Sequence, residues 1–431
     1  MSVSPQPTES TFLPNAFPAV EQNETTPPAR RIDSIDLLRG IVMVIMMLDH
    51  TRDFLHNAAL QFPAEDLSRT NVWLFFTRWI THFCAPVFVF LAGTGSYLQL
   101  ARGKSKGELS RFLITRGLWL IVLEVTVVRF GVVFNFDWQM LAFLQVIWVI
   151  GVSMIVLAVL IYLPLTVIGA FGVLMIALHN LLDLPPTPGP PVPPTLGEKI
   201  GMLLHQQGGF TVGSENHLLF VVYPLIPWVG VMAAGYAFGA LYQMDSQRRK
   251  RILLALGGSA SLLFVIIRLI NRYGDPAAWS PQKSPLFTVL SFLNTTKYPP
   301  SLLYLLMTLG PALIFLALAE VNTPVTGSTQ PSGSWLRRAF VTFGRVPLFF
   351  YFLQWYTAHL ISIGLHYAFG KPTDWLFQTP LDWFSKPHPG IGFNLAVVYA
   401  AWITGLMVIY PLCKWFAGVK ARRKDWWLSY L

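Results

Sequence analysis

The sequence predicts an all-α fold, a polytopic transmembrane bundle of about 10 helices, and three observations carry that expectation. Of 431 residues, 54% are hydrophobic and only 12% charged, with a mean hydropathy of +0.52, a balance far from that of soluble domains. Apolar segments long enough for a hydrocarbon core of roughly 30 Å recur at 34–55, 79–101, 110–130, 139–160, 164–182, 218–241, 252–271, 300–320, 344–368 and 393–416. Basic clusters fall in alternate connections: Arg30-Arg31, Arg102 to Arg116, Arg248 to Arg251, Arg337-Arg338 and Lys420 to Lys424. Lys and Arg in short loops stay on the cytoplasmic side, so both termini are expected inside, in a multi-pass protein of an inner or plasma membrane. The formal charge of +10 is then accounted for by topology and anionic lipid headgroups, and it gives no reason to invoke nucleic acid.

Taken in order, residues 1–29 are rich in Pro, Thr, Ser and Glu without the basic and apolar regions of a signal peptide, and read as a disordered cytoplasmic tail. The membrane domain is expected over 30–418, followed by a basic cytoplasmic tail at 419–431. Four outer connections exceed a tight turn, at 56–78, 183–217, 272–299 and 369–392. The second opens with the proline-rich run Leu184 to Pro194, which favours extended polyproline structure and predicts a stiff external strap. On the inner side, 321–338 reads as a flexible linker rich in Gly, Ser, Thr and Pro. Pro164, Pro224, Pro227, Pro311 and Pro347 mark kinks or helix ends, Pro299 and Pro300 fit a helix start, and aromatic clusters at 73–79, 351–356 and 375–384 have the placement of interfacial belts. Cys84 and Cys413 are too few for a disulfide framework and read as packing residues.

The chemistry concentrates on the first apolar segment, where Arg39 is followed, after ten residues, by His50. Eleven helical steps span roughly 16 Å, so the guanidinium and the imidazole sit towards opposite faces of a bilayer. Charged groups in a membrane helix are costly and mark function. His50 is expected to close its helix beside Asp49 and Asp53, either of which could orient the ring as a general base. Eight of the nine histidines, His50, His56, His82, His179, His205, His217, His366 and His388, fall at the outer side, and His359 lies within a helix. Arg78 and His82, one turn apart, with Lys297 and Tyr298, are candidates for an outer pocket. Arg39 and Arg345, at the inner ends of two apolar helices, suit the phosphates of a donor. Small residues at Ala92, Gly93, Gly95 and Ser96 would admit a close helix neighbour. The sequence offers no Gly-x-Ser-x-Gly elbow, metal-ligand cluster or nucleotide-binding glycine loop.

Arg31 to Gly40, Asp49-His50, Pro86 to Gly95, Lys297-Tyr298-Pro299-Pro300 and Gly344-Arg345-Val346-Pro347 together resemble the heparan-alpha-glucosaminide N-acetyltransferase catalytic-domain family. The Arg39 and His50 spacing is also similar to that of bacterial membrane O-acyltransferases acting on glycans. The resemblance implies an acyltransferase taking an acetyl group from cytoplasmic acetyl-CoA, or another acyl-CoA, to a sugar or glycan at the far face; the lack of a metal-ligand cluster in the sequence sets the expectation that no metal takes part. The resemblance also implies an outer-side histidine, for which His50, His56 and His82 are the candidates. Two other readings remain open: a transporter of a small polar solute, or proton-coupled carrier, built on the same Arg, Asp and His, and a non-catalytic membrane scaffold.

Overall fold

In a bilayer every backbone polar group must be satisfied within the segment, and this is why apolar runs of some twenty residues become helices. The computed structural model describes residues 32–183, 193–214, 217–320, 334–379, 382–383, 388–423 and 425–430. The N-terminal tail of 1–29 and most of the strap at 184–194 lie outside the described residues.

Helix α1 covers Asp33–Leu55, with Asp33 and Asp36 in its first turn, where carboxylates favour the positive helix end. Helix α2 (Val72–Trp79), capped by the Asn71 side chain, passes through a 3-10 turn at Ile80–Phe83 into α3 (Cys84–Ala101). A Ser105/Glu108 capping box opens α4 (Lys106–Leu123), which continues through a π-helical turn at Glu124–Val128 into α5 (Arg129–Val133). Strand β1 (Met140–Leu144) leads into α6 (Val146–Leu160), α7 (Leu165–Leu178) and α8 (Leu196–Leu204). Strands β2 (Gly208–Val212) and β3 (His217–Val221) precede α9 (Leu225–Phe238), α10 (Ser246–Ile270) and α11 (Pro285–Leu293). The chain ends with α12 (Leu302–Ala319), α13 (Trp335–Arg345), α14 (Pro347–Ala368) and α15 (Leu395–Arg422).

Each of the ten expected apolar segments contains a helix, and seven helices among the described residues are long and apolar enough to cross a membrane. The other three are α1 and α4, which carry charges within the run, and α6, which has 15 residues. The architecture is an all-α membrane bundle.

Several local expectations are corrected. Residues 140–144 and 218–221, expected at the starts of apolar helices, lie in strands β1 and β3, and with β2 these form a three-stranded sheet in the order β1-β3-β2. β1 runs parallel and β2 antiparallel to β3. A short apolar run is compatible with both states, and only its partners decide. Pro299 and Pro300 precede α12 rather than start it, because Ser301 is the cap, its hydroxyl accepting from the Tyr304 amide at 3.0 Å. Of the expected linker at 321–338, residues 321–333 lie outside the described residues, and Arg337 and Arg338 lie in α13. The last helix continues past 418 to Arg422, and the Tyr430 hydroxyl returns to within 2.7 Å of the Thr115 hydroxyl on α4.

Two glycine crossings set the geometry around the site. On α1 and α13, a Cβ added to Gly40 would lie 1.8 Å from the Phe340 carbonyl oxygen, and one added to Gly344 would lie 1.8 Å from that of Asp36. Gly93 and Gly235 do the same for α3 and α9, with a Gly93 Cβ falling 2.1 Å from the Met232 oxygen, as the small-residue run predicted. Gly95 faces open space.

Candidate active site

A cavity of about 480 Å³ lies at the His50 end of α1. One wall is α1 through Met46, Asp49, His50 and Asp53, and a second is formed by Arg78, Thr81, Cys84 and Phe88 from α2, the 3-10 turn and α3. Tyr351 and Trp355 of α14 form the third. The sheet covers it with Met140, Phe143, Leu218 and Phe220, so the strands that the sequence hid are the lid of the site. A second, more open space of about 680 Å³, bounded by the 56–65 loop and residues 294–298, shares Arg52, Asp53, Arg78, Lys297 and Tyr298 with the first and so adjoins it; it is termed the vestibule below.

Between the two spaces sits a network of ions. The Asp49 carboxylate is 2.6 Å from Arg78 Nη1, 3.0 Å from Arg52 Nη2 and 3.7 Å from Lys297 Nζ. Arg52 also pairs with Asp53 at 2.5 Å, and Arg78 Nε donates to Glu65 at 2.7 Å. Three cations meet three carboxylates in a largely buried setting, so removal of any one leaves an uncompensated charge. Glu65 lies on the loop outside the helices. Burial by itself would raise its carboxyl, but the Arg78 guanidinium, with help from His82 and Arg52, outweighs that effect and holds Glu65 well below the usual carboxylate range.

His50 lies where expected, on the cavity wall, but α1 continues five residues beyond it to Leu55. The expectation that Asp49 or Asp53 orients the ring is corrected by the contacts. Both carboxylates are engaged by arginine, and among the described residues neither makes a hydrogen bond to His50. Its neighbour is the indole of Trp355, with ring centroids 3.6 Å apart and planes inclined by 37°, and His50 Nδ1 makes no hydrogen bond. Of the expected pocket residues, Arg78, Lys297 and Tyr298 line the cavity. His82 stands behind it, buried, with Nε2 3.5 Å from Glu65 and its ring against Tyr304.

The aromatic clusters at 351–356 and 375–384 are not uniformly belts. Tyr351, Trp355 and Trp375 are buried, and Trp383 reaches the cavity, whereas Trp73 is 78% exposed and fits an interfacial place. A signal was present for α14: Tyr351, Trp355 and His359 follow at four-residue steps and therefore share one face. Gln145, Gln207 and Tyr223 also line the cavity, without a pattern that marks them in sequence.

Arg39 and Arg345 are brought together at the other end of α1 by the Gly40/Gly344 crossing. Arg39 Nη1 donates to the Gly344 carbonyl at 3.1 Å and pairs with Asp36 at the same distance. Arg345 lies 3.5 Å from Asp33 and 3.9 Å from Asp36. The cavity's innermost α1 residue is Met46, so its lining stops about two turns short of Arg39. Cys84 and Cys413 are buried free thiols, and the Cys84 thiol donates to the Val42 carbonyl at 3.3 Å. Among the described residues no group of three or more His, Cys, Asp or Glu is placed to hold a metal ion.

An all-helical membrane bundle with a histidine-bearing, charge-rimmed cavity buried among its helices defines an integral membrane protein with an internal site. The chain belongs to the heparan-alpha-glucosaminide N-acetyltransferase catalytic family, whose model matches residues 31–270, and it is a membrane acetyltransferase. The match includes Arg39, the ion network except Lys297, and His50, while Lys297, Arg345 and the α14 wall lie beyond it. No curated protein matches the chain.

Proposed function

We propose that the protein transfers an acetyl group from acetyl-CoA, bound at the Arg39 end, to a sugar or glycan acceptor that enters through the vestibule, with His50 as general base. The observation that carries this reading is His50 itself, on the wall of a cavity with a ring nitrogen uncommitted to any protein partner. A general base needs such a nitrogen within reach of the acceptor's hydroxyl or amine. Asp49 and Asp53, adjacent in the chain and one turn on, offset the charge that the ring gains when it takes the proton. Arg78, Lys297 and Tyr298 supply polar contacts for the acceptor, with His82 supporting them through Glu65. Arg39 and Arg345 are the cations for the donor's phosphates, exchanging part of their pairing with Asp33 and Asp36 on binding. In this reading the Arg39 end and both termini face the cytoplasm and the His50 end the opposite side, an orientation that the basic clusters support.

The test is thiol release from acetyl-CoA by purified protein in detergent or nanodiscs, against a panel of amino sugars and glycan lipids. His50→Ala should abolish transfer while leaving folded protein. Retained activity in His50→Ala with loss in His56→Ala or His82→Ala would move the base. No acetyl-CoA turnover with any acceptor, together with solute uptake into proteoliposomes, would make the protein a carrier.

A further inference from the structure

Of the three cations in the ion network, Lys297 is the one whose head makes no hydrogen bond among the described residues. Arg52 is bound by Asp49 and Asp53, and Arg78 by Asp49 and Glu65. The Lys297 ammonium stands 3.7 Å from the nearest carboxylate oxygen, Asp49 Oδ2, which Arg78 already holds at 2.6 Å. The residue is only 8% exposed, and it lines both the cavity and the vestibule. A buried ammonium with three idle donors has given up water without full replacement, and a protein retains such a group where a ligand completes it. The turn that carries it is fixed from two sides. Asp275 accepts from the Thr296 amide at 2.9 Å, the Thr296 hydroxyl at 2.8 Å and the Ser301 hydroxyl at 2.6 Å. In the 3-10 turn His179–Leu182, Asn180 accepts from the Leu302 amide at 2.9 Å, and His179 Nε2 lies 2.8 Å from the Pro300 carbonyl oxygen. Lys297 is therefore presented from a backbone set before any substrate arrives.

We infer that Lys297 is a further catalytic residue of the site, its ammonium binding the acyl carbonyl oxygen as that oxygen becomes negative during acetyl transfer. The inference rests on the acyltransfer reading above and deepens it. In that reaction the acceptor oxygen or nitrogen bonds to the acyl carbon as His50 removes the acceptor's proton. The carbonyl π electrons pass to oxygen, which carries the negative charge of the tetrahedral intermediate. The charge then returns, the carbon–sulfur bond breaks, and the thiolate of CoA leaves and is protonated by the proton that His50 took. Lys297 keeps its own proton throughout. In the intermediate the acceptor atom and the acyl oxygen are bonded to one carbon, so a cation that borders the acceptor borders this oxygen as well. His50 and Lys297 both line the cavity, near enough for their charges to act on each other. Asp49 faces the ammonium without occupying it, since 3.7 Å is beyond hydrogen-bond length. A cation held in place before the reaction stabilises the charge as it develops without having to reorganise.

The experiment compares wild type, Lys297→Met and His50→Ala in nanodiscs, using acetyl-CoA and the best acceptor of the panel. It reads kcat and the direct binding of two unreactive analogues of acetyl-CoA. One is acetonyl-CoA, whose carbonyl is neutral; the other carries a methylphosphonate in place of the acetyl group and so bears the negative charge. Wild type should bind the charged analogue more tightly than the neutral one. Lys297→Met should lower kcat on the order of 10²-fold and lose the preference for the charged analogue, a change on the order of 10-fold or more, with acetonyl-CoA binding unchanged. A purely structural lysine would weaken both analogues alike or neither. That result, or unchanged kcat in a protein whose His50→Ala variant is inactive, would overturn the inference and leave the acyltransfer reading intact. A loss of kcat confined to acidic acceptors would also overturn it, assigning the ammonium to an anionic group of the acceptor. Should Lys297→Met fail to fold, Lys297→Gln is read in the same way, and equal binding of the two analogues by the wild type overturns the inference without any variant. Absence of acetyl transfer by the wild type would overturn both the reading and the inference.

Discussion

Asp49 of α1 and Arg78 of α2 are joined at 2.6 Å across the rim of the cavity, and through this contact the helix that carries His50 is held to the helix that leads into the opposite wall. The carboxylate serves Arg52 and Lys297 as well, so it is the hub of the site's electrostatics. A buried charge is tolerated where such partners surround it.

Replacing the hub with a neutral isostere should therefore be costly. Asp49→Asn leaves Arg52, Arg78 and Lys297 facing one another with reduced compensation, and a loss of about 3 to 5 kcal/mol in unfolding stability is expected. Denaturant or thermal unfolding in detergent measures it. An unshifted transition would show that Glu65 and Asp53 suffice.

The α1/α13 crossing should tolerate no side chain. Gly40→Ala places a Cβ 1.8 Å from the Phe340 carbonyl oxygen, against backbone that cannot move aside as a side chain would. The helices must separate, which breaks the Arg39 to Gly344 contact, and a cost of roughly 1 to 3 kcal/mol follows for overpacking. Gly95→Ala is the control, since nothing lies within 4 Å of its added carbon. Equal melting temperatures for the two variants would refute the close approach.

Arginine at the inner end should not be replaceable by lysine. Its planar fork matches a phosphate through two hydrogen bonds, whereas an ammonium offers a point charge. Arg39→Lys and Arg345→Lys are each expected to weaken acetyl-CoA binding by about 1 to 3 kcal/mol, read by direct titration. Unchanged affinity in both would return these residues to a structural role with Asp33 and Asp36.

Acid should loosen the vestibule through Glu65. Its carboxyl is depressed in the folded protein, so the pair with Arg78 contributes stability that is fully present above the unfolded carboxyl value of about 4.3. That contribution is lost as the pH falls below this value and through the folded one. Glu65→Gln should flatten the acid limb of the stability profile. A limb of the same slope in the variant would assign the acid sensitivity to another group.

Orientation is open to direct measurement. With a cysteine introduced at Lys250 in the basic turn of α10 and another at Ile200 on α8, a membrane-impermeant thiol reagent applied to intact cells should label the second and spare the first. The reverse pattern would invert the topology and the direction of transfer.

Composition and hydropathy alone determined that the chain is a helical membrane bundle, and each of the ten expected segments contains a helix, because the cost of unsatisfied backbone in lipid leaves a long apolar run few alternatives. The sequence raised the expectation that Arg78, His82, Lys297 and Tyr298 gather with His50 at the outer side, from their places in outer connections and at outer helix ends; the structure brings Arg78, Lys297 and Tyr298 to the His50 cavity and leaves His82 behind it. Only tertiary structure decided the rest. The runs at 140–144 and 217–221 became strands because each found the other as a parallel partner, a relation across about eighty residues that local periodicity cannot express. Asp49 pairs with Arg78 rather than with the adjacent histidine because neighbouring side chains on a helix point apart while a second helix brings the guanidinium to it. Tyr351 and Trp355 form a cavity wall instead of a belt because the packing of α14 against α1 turns their face inward, and an aromatic residue carries no mark in sequence of which of the two surroundings it will meet.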